Sequence, residues 1–333
     1  MTKSIKLVST VTPQRLSFFG GGTDLPDYYL KHGGAVLSTT IDKYIYVTVK
    51  KHSPLFNEMY RLNYSITEHV DNLEDIKNLI ARECLRFLNI DPPIYIATYS
   101  DLPAMSGLAS SSCFAVGLLN ALHIFKGEHI TAGQLAEEAC HIEIDILKNP
   151  IGKQDQYSVA CGGFNFFEFH KEGRITLEPI VVSSAKINAL FENSLLFWTG
   201  IQRDANVILS DQKSNIDQSL VYLDQLKNMA YGVKDNILSS AFDINYFGQT
   251  LDDSWRAKKS LSTKISNSFI DINYELAKKS GAIGGKILGA GGGGFMFLIV
   301  PKAKQSNVIK NLKEMMHIPI SYESKGSALL NIF

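Results

Sequence analysis

The stretch Gly285-Lys-Ile-Leu-Gly-Ala-Gly-Gly-Gly-Gly-Phe-Met-Phe-Leu-Ile-Val300 decides the fold class. Its glycines from Gly289 to Gly294 match G-x-G-x-x-G, the fingerprint of a dinucleotide-binding βαβ unit. That fingerprint needs a helix directly after the glycines, so that the helix N-terminus can face a pyrophosphate. Here an unbroken apolar run, 295–300, follows instead, and it reads as a buried strand. The strand after Gly294 rejects a dinucleotide-binding fingerprint here and disfavours a dinucleotide oxidoreductase. A Walker-A loop is excluded too, because Gly285-Lys286 is followed by Ile287 rather than Ser or Thr. Five glycines in six positions exceed what a hairpin needs and cost chain entropy, which favours close approach of the backbone to a ligand or another loop.

Outward from this stretch the chain mixes strand and helix patterns. Residues 43–50 alternate, with Ile45, Val47 and Val49 on one face, and predict a strand. Residues 74–90 place Ile76, Ile80, Cys84, Phe87 and Leu88 on one helical stripe. A short strand at 94–99 leads into a loop, and a helix is predicted over about 110–125. A second helix opens at Thr131 with Gln134 three residues on, a capping box. Further strands are expected near 163–169 and 194–199, and helical patterns over 203–240 and 246–280. The glycine loop is flanked by strands, then helix and strand. Paired strands with segregated helices predict an α+β fold. A boundary near residue 185 divides the chain into an N-terminal domain, 1–185, and a C-terminal domain, 186–333.

The 333 residues are 45% hydrophobic and 20% charged, with 33 Lys+Arg balancing 33 Asp+Glu. No global basic field exists to hold nucleic acid or an anionic membrane, so neither is an expected partner and any phosphate site must be local. Met1 to Leu16 alternates polar and apolar residues, unlike a signal peptide, and no apolar run approaches the roughly 18 residues of a membrane span. The scattered Cys84, Cys113, Cys140 and Cys161 form no C-x-x-C pair and predict reduced thiols in a cytoplasmic protein.

Two more glycine clusters carry chemistry. The first is Asp101-Leu-Pro-Ala-Met-Ser-Gly-Leu-Ala-Ser-Ser-Ser-Cys113, between a strand and a helix. Gly107 supplies backbone freedom, and Ser110 or a neighbour can cap the helix. The unpaired first amides and the helix dipole favour a phosphate there, although a serine-capped helix with no ligand has the same local features. The second is Gly20-Gly-Gly-Thr-Asp24, after Thr12-Pro-Gln-Arg15. It is either a surface turn or a loop that brings Asp24 against a polar ligand with Arg15 nearby.

Together these clusters resemble the three motifs of the GHMP family of small-molecule kinases. Pro13-x-Arg15 through Asp24 is similar to the first motif. Pro103-x-x-x-Gly-Leu-x-Ser-Ser-Ser112 is similar to the second, the ATP phosphate loop, with Ala109 where many relatives carry Ser or Gly. Lys286-Ile-Leu-Gly-Ala-Gly-Gly-Gly-Gly-Phe295 is similar to the third. The resemblance implies a ribosomal-protein-type α+β domain followed by a ferredoxin-like domain, with ATP and substrate meeting in the cleft between. It implies ATP on Pro103, Ser106, Gly107, Leu108, Ala109, Ser110, Ser111 and Ser112. Gly152-Lys-Gln-Asp-Gln-Tyr157 is similar to the family segment bearing the catalytic aspartate, which puts that role on Asp155. A carboxylate is a weak base, which suffices when the transition state is loose and the proton leaves late. Glu143, twelve positions before Asp155, matches the spacing of a magnesium-binding glutamate, with Ser111 as the hydroxyl ligand and Ser110 or Ser112 as register alternatives. Arg15 is expected beside the reacting oxygen or the transferring phosphate, as the second catalytic residue.

The acceptor implied is a sugar. Gly21, Gly22, Thr23 and Asp24 would hold its hydroxyls. The segments TPQRLSFFGGGTDLPDYY, GKQDQY, CGGFNFFEF and SWRAKKS resemble the branch that phosphorylates the anomeric hydroxyl of D-glycero-D-manno-heptose 7-phosphate, on the way to nucleotide-activated heptose for surface polysaccharide. A 7-phosphate needs its own site. Arg203 and the cluster Arg256, Lys258 and Lys259 are candidates, with Arg256 and Lys259 one helical turn apart. A solvated basic face is the plainer account of that cluster. Two other functions remain in view: a kinase of an unphosphorylated sugar such as L-fucose or galactose, and a non-catalytic sugar or nucleotide sensor. A homodimer is expected only because isologous dimers are the commonest oligomers.

Overall fold

The computed structural model describes residues 5–333, so the first four residues of the segment compared with a signal peptide lie outside it. The N-terminal half opens with strand β1 (Leu7–Phe19), helix α1 (Pro26–His32) and strand β2 (Gly34–Lys51). β1 and β2 pair antiparallel from Leu7↔Lys50 to Phe19↔Leu37. β2 is longer than the alternating run predicted, because residues 34–41 are buried on both faces and carry no alternation. β3 (Tyr60–Asn63), β4 (Thr67–Val70), α2 (Leu79–Phe87) and β5 (Ile94–Ser100) follow. α2 starts later than its apolar stripe, where the Asn78 side chain accepts from the Ala81 amide and resets the helix N-terminus. α3 (Ser110–Phe125) lies where predicted, and α4 (Ala132–Cys140) is capped by Thr131. α4 widens into a π-helical turn, His141–Ile146, before α5 (Gln154–Cys161), β6 (Phe164–Phe169) and β7 (Ile175–Pro179).

The C-terminal half runs α6 (Ser184–Glu192), β8 (Ser194–Trp198), α7 (Ala205–Ser214), α8 (Leu220–Leu238), α9 (Ile244–Lys259), α10 (Ser268–Ser280), β9 (Gly284–Ile287), β10 (Phe295–Ile299), α11 (Lys302–Asn311) and β11 (Met316–Ile318). Each long helical pattern of the sequence is two helices. β11-β8-β10-β9 form one antiparallel sheet, the strand order of a ferredoxin-like unit. The expected C-terminal boundary is corrected by the last two strands. β12 (Tyr322–Glu323) pairs with β2 and β13 (Ala328–Ile332) with β1, so the chain end belongs to the nine-stranded N-terminal sheet and not to 186–333 as one unit. β1 would otherwise be an edge strand with unpaired backbone groups.

Three apolar cores result. One lies between the N-terminal sheet and α2 to α5, and one between the C-terminal sheet and α7 to α10. The third joins the halves. There Phe18 meets Phe164, Phe247 and Phe297 with ring centroids 5.8, 5.3 and 5.3 Å apart.

Candidate active site

A cavity of about 750 Å³ opens between the halves. β1 carries Arg15 into it and the first turn of α5 carries Asp155. Arg15 is buried, and its Nε and Nη2 donate to Asp155 Oδ1 at 2.9 and 2.6 Å. Its Nη1 donates to the Gly107 carbonyl at 2.9 Å. One guanidinium thus ties the aspartate to the serine-rich loop, a geometry that the planar arginine fork supplies and lysine cannot.

In that loop Ser106, Gly107, Ala109, Ser110, Ser111 and Ser112 line the cavity. Leu108 does not; it is fully buried in the shared core. Pro103 is exposed and outside the lining. Ser110 is not the N-cap: Ala109 takes that position at φ +65 with no side-chain cap bond, which frees the serine hydroxyls from the helix. The Ser106 hydroxyl is buried without a partner. The third glycine cluster packs on this loop. A Cβ on Gly107 would lie 2.5 Å from the Leu288 carbonyl oxygen, and one on Gly294 would lie 2.2 Å from that of Ser106. The glycines therefore serve loop-to-loop contact.

Glu143 sits in the π-helical turn, fully buried behind the serines rather than on the cavity surface. Its Oε2 accepts from Ser112 Oγ at 2.8 Å and from Gln156 Nε2 at 2.7 Å, while Oε1 has no partner. Burial pushes its carboxyl up, partly offset by the Ser112, Gln156 and Ser111 side chains. An orphaned buried oxygen beside two hydroxyls fits a divalent cation that keeps water and phosphate as its other ligands. Among the described residues no cluster of three or more His, Cys, Asp or Glu could form an all-protein metal cage.

Gly21, Gly22 and Asp24 also line the cavity. Asp24 accepts from the Gly22 amide at 2.9 Å and from Gln154 Nε2 at 3.0 Å, and burial, with Asp155 nearby, raises its carboxyl. Thr23 is corrected: its hydroxyl is fully buried and held by the Gly20 and Ala35 backbone, 2.7 and 3.0 Å away, outside the lining. Arg256 and Lys259 are corrected as well. Neither reaches the cavity; Arg256 is exposed and pairs with Asp252, and Lys259 pairs with Asp271. The lysine between them points inward. Leu251, Trp255 and Lys258 share the buried stripe of α9, a spacing legible in the sequence. Lys258, Lys286 and Arg203 line the cavity. Lys286, the sole charge in β9, donates to the Ser17 and Phe18 carbonyls at 3.1 and 2.9 Å.

Residues 74–163 match the family described as GHMP kinases N terminal domain, and residues 236–318 match GHMP kinases C terminal. The D-glycero-alpha-D-manno-heptose 7-phosphate kinase of Campylobacter jejuni subsp. jejuni serotype O:2 is 34% identical over 93% of this chain and 94% of that protein. The L-fucokinase/L-fucose-1-P guanylyltransferase of Bacteroides fragilis is 26% identical over 86% of this chain and 34% of its own. A solved D-glycero-D-manno-heptose 1-phosphate kinase from Bacteroides thetaiotaomicron shares the fold at a TM-score of 0.81 and 24% identity, covering 98% of this chain and 99% of that one. The chain belongs to the GHMP kinase family. It is an ATP-dependent phosphotransferase with an alcohol group as acceptor. Among the described residues no helix is long and apolar enough to cross a membrane.

Proposed function

We propose that this chain transfers the γ-phosphoryl group of ATP to the anomeric hydroxyl of D-glycero-D-manno-heptose 7-phosphate, giving the 1,7-bisphosphate for nucleotide-activated heptose and surface polysaccharide. The observation that carries the chemistry is the Arg15 fork, which links Asp155 to the Gly107 carbonyl of the serine loop. The name of the C. jejuni relative supports the acceptor. The N-terminal half binds ATP and the C-terminal half supplies the facing wall, in the cytoplasm.

The geometry supports the following roles. The loop amides and the hydroxyls of Ser106, Ser110 and Ser111 hold the triphosphate at the start of α3, where the helix dipole favours an anion. Ser111, Ser112 and Glu143 would hold Mg²⁺, which neutralises phosphate charge when bound. Asp24 and the Gly21–Gly22 backbone orient the sugar. The anomeric oxygen attacks the γ-phosphorus, the bond to the bridging oxygen of ADP breaks, and the hydroxyl proton passes to Asp155. Both Arg15 bonds end on Oδ1, which leaves Oδ2 for that proton. Arg15 also offsets charge on the transferring group.

An ATP-consumption screen over heptose 7-phosphate, mannose 6-phosphate, L-fucose, galactose and mevalonate tests this reading. Turnover is expected with heptose 7-phosphate. Turnover confined to an unphosphorylated sugar replaces the acceptor, and ATP or sugar binding without turnover on any alcohol would indicate a sensor.

A further inference from the structure

Three cations line one wall of the cleft without a carboxylate of their own. Arg203 follows β8, Lys258 lies in the last turn of α9 and Lys286 lies in β9. Lys258 and Lys286 are almost wholly buried. Their ammonium groups donate only to backbone carbonyls: Lys258 to Ile287 and Gly289, Lys286 to Ser17 and Phe18. Arg203 Nε donates to the Gly291 carbonyl, and its Nη2 is buried with no partner. An ammonium has three donors, so each lysine keeps one uncommitted. A protein interior holds unpaired cations at a high desolvation cost, and that cost is removed when an anion of matching charge arrives.

The serine loop with its Ser106, Ser110 and Ser111 hydroxyls belongs to the N-terminal half and packs against the same glycine cluster whose carbonyls hold Lys258 and Arg203. We infer that Lys258, Lys286 and Arg203 form a receptor for a phosphate monoester borne by the acceptor, built from side chains of the C-terminal half beside the loop that holds ATP. This rests on the proposed phosphosugar substrate and places its second phosphate. A phosphate dianion offers three acceptor oxygens, one for each cation.

Binding should also move protons. Burial pulls Lys286 down to about 7, with Arg15 adding to the effect. Burial pulls Lys258 down well below its ordinary range, with Lys286, Arg203 and Arg15 adding to it and Asp24 opposing. Burial brings Arg203 to about 10, opposed by Asp204. Asp155 faces the same space but is neutralised by Arg15. Around neutral pH and above, Lys286 is therefore partly unprotonated in the free enzyme. A dianion restores its charge, so the phosphosugar is bound with proton uptake and its KM rises as pH rises above about 7.

The test is initial-rate kinetics with heptose 7-phosphate and with the same heptose lacking the phosphate, on the wild type, Lys258→Met, Lys286→Met and Arg203→Met. Each substitution should raise KM for the phosphorylated sugar about 10- to 100-fold, the equivalent of one lost charge-assisted hydrogen bond. KM for ATP and for the unphosphorylated heptose should stay within about two-fold, a change too small to represent such a bond. Thermal melting checks that each variant is folded. An equal rise for both sugars, or a rise in KM for ATP, overturns the receptor. Calorimetry of mannose 6-phosphate binding in two buffers of different ionisation enthalpy provides a second measurement. Proton uptake near pH 8 that disappears in Lys286→Met is expected, and none in the wild type overturns the protonation step. If the wild type turns over only unphosphorylated sugars yet binds mannose 6-phosphate through Lys258, the proposed substrate falls and the receptor stands. If it binds no phosphate ester, both fall.

Discussion

At the scale of single residues the site depends on two kinds of charge, one paired and one buried without a partner. Asp155 is paired, and its role needs an ionised oxygen next to the acceptor. Asp155→Asn keeps the shape and removes the base. Its kcat should fall by about 10²- to 10⁴-fold, the usual span for general-base loss, while ATP binding measured directly stays intact. Unchanged turnover would remove Asp155 from the mechanism. Lys258 and Lys286 are buried without a counter-charge, and each destabilises the empty enzyme. Lys258→Met should therefore raise the melting temperature of the ligand-free protein even as it weakens phosphosugar binding. A lower melting temperature would mean that the ammonium is structurally required. Arg15, Asp24 and the serines stand out because they lie in or beside glycine clusters, and Asp155 because Gly152 to Tyr157 resembles a family segment; local features alone leave each of them open. Lys258 and Lys286 were harder to read. A basic cluster on a helix exposes some members and buries others, and the phase of the α9 stripe separates Lys258 from Arg256 and Lys259.

At the scale of elements, the glycine loops and the helix ends decide what can move. Gly107 adopts φ +87 and has a backbone carbonyl where a side chain would go. Gly107→Ala should cost at least about 1–2 kcal/mol from the left-handed backbone alone, with a further loss of ATP affinity as the loop shifts. A variant that melts and binds ATP like the wild type would contradict the packing. Far from the cleft, His123 of α3 sits between Glu128 and Glu138, both at 2.7 Å, and so ties α3 to α4. Burial works to lower His123, but the two carboxylates outweigh it and its net shift is upward. A raised folded pKa gives stability that is complete below the unfolded value and is lost as pH rises through the folded one. The stabilisation should fade on the alkaline side, above about 6.5, the ordinary histidine value. Melting temperature against pH should decline there, and His123→Gln should flatten the decline. An identical decline in that variant would place its origin elsewhere. Helix positions were legible from periodicity where one stripe was apolar, as in α3. The splits after Ser214 and Lys259 were not, because helical composition continues through both breaks.

At the scale of the whole molecule, the two halves share a core and a strand set. β12 and β13 leave the ferredoxin-like unit and complete the opposite sheet. Thr40 Oγ1 donates to the Glu323 carbonyl at 2.7 Å and Tyr44 donates to Glu323 Oε2 at 2.5 Å. Removing residues 320–333 should raise amide exchange in β1 and β2 while β8 and β10 keep their protection, read by hydrogen-exchange mass spectrometry. Uniform loss would show that the halves unfold as one body, and no change would show that the tail is dispensable. Sequence reading missed this return because strands of two and five residues carry little periodicity and their pairing is long-range.

The same return sets the cut-points for recombination between relatives. A chimaera joined near residue 185 would import foreign strands against β1 and β2, and a foreign glycine loop against Gly107. The exchangeable cassette is the internal segment from β8 to β11, grafted with residues 320–333 left native and with the 101–113 loop taken from the same parent as the glycines that press on it.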